Sequence, residues 1–384
     1  MKKLAVTVDQ ELHRTGGVLR LRPTYARRFY RDGGRLGLAG NKAGATLIRK
    51  QNLYVPERWI ASTSVAVNPF PKKNEGLSTV DIPGNEFTLK DALAAHPEIL
   101  LGSEYAKRHD NEFRVLTKIL DGYEPIVMHV HASDGQLKKH PRWFQGHRFG
   151  KTEAYYFLDA PKGLYPYTHF GLHPGVTAKD LLAAIEKGRD HVIDLSPVFH
   201  QQFGTGFFTP AGMPHSPGTA LTLEIQQPSD VYTLLEDRPP FGGPDFTPQQ
   251  QHPGIPSLEA AMKLVDIRGA TQKNVLDRHR IAPELVRRGA GAEEHWIYPP
   301  RFTNKFSGKR LRIASGKSYE CPERGPYAVL VWRGQGRVAR HDFRAERGWD
   351  EFFVSAPLAV SAHRYENTGK SPLELFKIFP MDVN

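Results

Sequence analysis

The sequence reads as a mainly β fold with inserted and connecting helices, and three observations carry that reading. Its 384 residues include 35 glycines and 30 prolines, a density of punctuation that suits many short strands and tight turns better than a helical bundle. Its apolar segments are short and rich in β-branched and aromatic residues, as in 126–131 and in Ala154-Tyr-Tyr-Phe-Leu158. Stretches with a complete helix signature, cap included, are few and brief.

Taken in order, residues 1–50 carry arginines (Arg20, Arg22, Arg27, Arg28, Arg31, Arg35) and a glycine-rich tract over 33–44. The tract departs from the Gly-x-x-x-x-Gly-Lys-Ser/Thr spacing of a phosphate loop and reads as a surface loop. Residues 51–85 read as short strands and turns. The threonine-capped segment 88–101 predicts a helix that stops near Pro97. Residues 126–131 predict a strand, and Glu153 opens another. Thr177 to Gly188 is a capped amphipathic helix closed by glycine. Pro239 to Pro256 reads as a long loop, either beside an active-site mouth or as a plain linker. Residues 257–265 and 272–288 are expected to be helical. Strands are expected to return over 301–315, 327–337 and 351–379.

With 39% hydrophobic residues the chain can build a sizeable core. The excess of 52 Lys and Arg over 41 Asp and Glu, a net charge of +11, suits an anionic small substrate or a polyanion. The basic residues are scattered and interleaved with acidic ones, and no nucleic-acid module is present, so nucleic acid is set aside as a partner. Cys321 is the only cysteine, which fits a reducing compartment. The basic and briefly apolar start is interrupted by Asp9 and Glu11, too early for a signal peptide, and no run reaches membrane-span length. A cytoplasmic protein without a membrane partner is expected.

The chemistry gathers at four residues. On a strand, His129 and His131 share one face, about 7 Å apart along the backbone, with Val130 on the other. Glu153 begins a second strand and offers a carboxylate. His215 follows Pro210-Ala-Gly212, a sequence that lets the chain double back. Three imidazoles and one carboxylate suit a divalent first-row metal, with zinc first and manganese or iron as alternatives. Lys151 lies two residues before Glu153 and on a strand would share its inward face.

His129-x-His131, Glu153 and Gly204 to Pro210-x-Gly212-x-x-His215, in this order, resemble the two-part metal motif of the cupin superfamily. The match is narrower still to type I mannose-6-phosphate isomerases. Phe113 to Asp121, with Lys118 inside it, is similar to that family's run into its metal strand. Gly150-Lys151-Thr152-Glu153 is similar to its Gly-Lys-Thr-Glu signature, and Leu223 to Asp230 to its Glu-x-Gln-x-x-Ser-Asp segment. The resemblance is strong over residues 80–265 and weak elsewhere.

It implies a double cupin of two jelly-roll β-barrels. Residues 1–55 would form an N-terminal lead-in, 56–265 a metal-binding catalytic domain, and 266–384 a cupin-like domain without metal. His129, His131, Glu153 and His215 would be the ligands. The function implied is metal-dependent aldose–ketose isomerisation of mannose 6-phosphate and fructose 6-phosphate, or of a related sugar. Lys151 would stabilise an oxyanion and Glu224 would transfer the proton. Two positions depart from the family: His129 stands where a glutamine is usual, and Leu234 where bacterial members carry an arginine. Arg238, four residues on, is the candidate to compensate. A carbohydrate-binding or sensing cupin without turnover, and an Fe(II) cupin dioxygenase, are the alternative readings.

Overall fold

The computed structural model describes residues 2–38, 42–68, 70–159, 165–240, 242 and 245–384. Part of the glycine-rich tract (39–41) and part of the Pro239–Pro256 loop (241, 243 and 244) lie outside the described residues.

Four antiparallel sheets form two jelly-roll barrels of the cupin type. In the first, a seven-stranded sheet runs in the order Arg280–Ile281, Gly206–Thr209, Glu153–Phe157, Thr222–Gln226, Leu116–Leu120, Tyr54–Ile60, Thr24–Arg28. It is covered by a five-stranded sheet in which His129–Val130 lies between Thr233–Leu234 and His215–Ser216. The second barrel pairs an eight-stranded sheet, drawn mostly from residues 284–380, with a four-stranded one.

The central strands of the first barrel are buried along their whole length. Their side chains alternate between two interiors, as strand geometry requires. Ala154, Tyr156, Leu223 and Ile225 pack toward the second barrel against Tyr298, Phe353 and Phe376. Tyr155 and Phe157 face the other way, into the first barrel, with Phe170 and Phe207. On these strands the polar residues Lys118, Glu153 and Glu224 share the inward face. The Tyr298 hydroxyl donates to the Leu223 carbonyl at 2.5 Å and links the two barrels.

Helices occur where caps predict them. Thr88 and Thr177 each close a capping box, on Leu89–Ala95 and Ala178–Lys187. The strand expected over 126–131 is shorter, only His129–Val130. Residues 272–288 are not one helix. Val275–His279 is helical, and then Pro283, which lacks an N–H, precedes the strand Glu284–Gly289. Ala290 and Gly291, both at positive φ, form a two-residue turn into the strand Ala292–Tyr298. A helix over Lys2–Thr15, not signalled by the arginine-rich reading of this region, buries Val8 and Leu12 one turn apart. The N-terminal lead-in divides: Val18–Arg22 pairs with Glu351–Val354 of the second barrel, and Thr24–Arg28 with Tyr54–Ile60 of the first. No described helix is long and apolar enough to cross a membrane.

Candidate metal centre and its cavity

His129 and His215 stand directly opposite each other on neighbouring antiparallel strands. His131 follows one strand end, and Glu153 enters from the facing sheet. Two backbone devices fix the approach. Gly212, at φ +88°, donates its N–H to the His131 carbonyl at 2.9 Å, which folds the turn before His215 onto the His129–His131 segment. At Gly150 a Cβ would lie 2.6 Å from three backbone atoms of residues 132–134, so only glycine allows Lys151 N–H to reach the Ala132 carbonyl at 2.9 Å.

Four side chains thereby converge, with one ligating atom of each of His129, His131, Glu153 and His215 lying within 4.8 Å of the others, all buried. Among the described residues this is the group able to hold a metal ion. Its hydrogen bonds decide the tautomers. The Nδ1 atoms of His129, His131 and His215 lie 2.7, 2.9 and 2.8 Å from the carbonyls of Val127, Val231 and Met213. A carbonyl only accepts, so each Nδ1 carries a proton, and in a neutral ring that arrangement leaves Nε2 with a lone pair turned inward. The Nε2 atoms of His131 and His215 then lie 3.4 and 2.8 Å from the Glu153 carboxylate, and neither has a hydrogen-bond donor. Lone pairs facing a carboxylate in a buried space are unfavourable unless a cation sits among them, and imidazoles held by backbone carbonyls are the usual arrangement of metal ligands.

Electrostatics agree with that fit. Burial pushes His131 down to about 3, and burial with the neighbouring imidazoles holds His129 well below its ordinary range, so both rings are neutral. Burial would raise the Glu153 carboxyl, but Lys151 at 2.8 Å and the imidazoles of His131 and His215 together outweigh it and keep the group ionised. The Tyr155 hydroxyl donates to the same carboxylate.

Beside these residues opens a cavity of about 350 Å3, within the size of small-molecule sites, roughly 300–1,000 Å3. Lys151 and Glu224 both line it, 3.4 Å apart. Burial raises the Glu224 carboxyl to about 7, against the pull of Lys151. Arg238 is not brought in. Its guanidinium is 51% exposed, pairs with Asp237, and lies outside the cavity lining. The arginine found there is Arg28, from the strand Thr24–Arg28, forked onto Asp230 at 3.0 Å through one nitrogen. Lys118 joins it, 3.3 Å from Asp230 and 3.8 Å from Glu224. Lys118 and Asp230 fall in segments that the motif covers, whereas nothing near Arg28 in the sequence marks it, because its partner lies 202 residues away. From the second barrel, Lys305 reaches Asp134 at 2.9 Å and the Gln227 side-chain carbonyl at 2.8 Å, securing the loop that carries Gly150. The Pro239–Pro256 loop contributes Asp245, Phe246 and Gln250 to the cavity wall.

The chain matches no protein-family model. It is 30% identical over 153 residues to mannose-6-phosphate isomerase ManA of Bacillus subtilis, a match spanning 39% of this chain and 44% of that protein. Its fold is similar to that of the mannose 6-phosphate isomerase structure from Bacillus subtilis, with TM-score 0.66 and 18% identity over 94% of this chain and 99% of the other. A variant of phosphomannose isomerase from Salmonella typhimurium aligns at TM-score 0.64 and 13% identity, over 95% and 100% of the two chains. The chain is thus related to the mannose-6-phosphate isomerases, in fold along nearly its whole length and in sequence over less than half of it.

Proposed function

We propose that this protein is a metal-dependent aldose–ketose isomerase of a monosaccharide, with mannose and fructose, free or as 6-phosphates, the first pair to test. The observation that carries the proposal is the meeting of the His129, His131, Glu153 and His215 group with a buried lysine–glutamate pair at one cavity.

The reaction moves a proton from C2 of the aldose to C1 and shifts the hydroxyl proton from O2 to O1. A divalent cation held by the four ligands, zinc first and manganese or iron after it, would stabilise negative charge developing on those oxygens. Glu224, raised to about 7 by burial, is matched to taking up and returning a proton near neutral pH. Lys151 stays protonated because Glu153 and Glu224 outweigh its burial, so it supplies fixed positive charge where an enediolate oxygen would form. Lys118 and Arg28 fix the far wall by tying Asp230 and Glu57 in place.

Metal analysis of the purified protein, followed by a screen of hexoses and pentoses with and without phosphate, tests this. We expect one bound metal per chain, exchange of the C2 proton with solvent, and no oxygen consumption. Metal-loaded protein that interconverts none of these sugars would remove the isomerase reading and leave the binding-protein alternative.

A further inference from the structure

The cavity's charge arrangement bears on the substrate, an inference that rests on the isomerase reading above. Three cationic side chains line it, and each is already committed to carboxylates. Arg28 pairs with Glu57 at 2.8 Å and Asp230 at 3.0 Å. Lys118 lies 3.3, 3.8 and 3.9 Å from Asp230, Glu224 and Glu57. Lys151 lies 2.8 Å from Glu153 and 3.4 Å from Glu224. Four carboxylates, Glu57, Glu224, Asp230 and Asp245, line the same space, with Glu153 just behind. No other lysine or arginine lines it among the described residues.

A phosphate dianion entering this space would have to break one of these buried ion pairs, or rest against carboxylates without a countercharge. Either course is costly at low dielectric. The wall offers a different kind of contact. Leu234, paired in register with His129, is buried and presents an apolar surface beside the metal ligands. Gln51, Asn52, Asn68 and Gln250 bring neutral amides to the wall, and the T-shaped pair Phe29–Phe246 brings aromatic surface. Neutral amides and aromatic rings suit hydroxyl groups and the apolar face of a sugar ring.

We propose that the substrate is an uncharged monosaccharide, an aldose without a phosphate group. The experiment uses the metal-loaded full-length protein and measures kcat/KM for D-mannose and other free aldoses against the corresponding terminal phosphates. The free sugars are expected to be preferred, and millimolar inorganic phosphate should leave their turnover unchanged. Leu234→Arg should shift the ratio toward the phosphorylated sugar by on the order of tenfold, the effect of one added charge-assisted hydrogen bond. A phosphorylated sugar preferred by the unaltered protein would overturn the proposal and leave the isomerase reading standing. If no sugar turns over, the isomerase reading falls, and calorimetry with free and phosphorylated sugars decides this one. Tighter binding of the free sugar supports it, and tighter binding of the phosphate, or binding of neither, overturns it.

Discussion

Glu153 touches two imidazoles and an ammonium at once, so replacing it separates charge from shape. Glu153→Gln preserves volume but removes the anion that balances both Lys151 and a bound cation. Metal affinity should fall by at least about 10- to 100-fold, read as metal retained after dialysis against a graded chelator. Glu224→Gln should act differently, leaving metal content unchanged while lowering kcat by about 100- to 10,000-fold. Since Glu224 must be ionised to accept a proton, kcat/KM should rise with pH along a limb governed by this group. That limb should lie at or below about 7, because a bound dication pulls the carboxyl down from the value that burial sets.

At the scale of elements, the short strand His129–Val130 is held by more than its neighbours. The Glu236 carboxylate accepts the Met128 N–H at 2.7 Å and pairs with Arg189, also at 2.7 Å. Burial pushes this carboxyl up from 4.5 to about 7, with Arg189 pulling the other way. An acid raised on folding binds its proton more readily in the native state, so its contribution to stability is greatest below about 4.5 and declines as pH rises toward 7. Glu236→Gln should flatten that part of the stability curve by on the order of 1–3 kcal/mol, measured as urea unfolding across the window. Sequence reasoning reads such elements unevenly. The ligand histidines were legible because a two-residue spacing puts both on one face, and Leu223-Glu-Ile-Gln226 because alternation separates polar from apolar. The hairpin at 284–298 was not, since Glu284, Arg287 and Arg288 look helix-forming while in the fold they lie on an edge strand facing water. Arg28 was missed for another reason: its meaning comes from Asp230, which no local pattern can supply.

Across the whole molecule, the two barrels are joined by an apolar layer, by the Tyr298 and Lys305 contacts, and by a buried fork. Arg58 donates to Asp350 at 2.7 and 2.9 Å and to Glu351 at 2.9 Å, with all three residues buried. Arg58→Met should strand two carboxylates in that layer and cost about 3–5 kcal/mol, seen as a lower urea midpoint. The pairing of Val18–Arg22 with Glu351–Val354 carries the same theme to the making of the protein. A ribosome reads out the first of these strands more than three hundred residues before its mate, so the nascent chain must carry an unsatisfied strand edge through most of its synthesis. Chains that stall short of residue 350 would keep that edge open, which makes them natural clients for a holding chaperone.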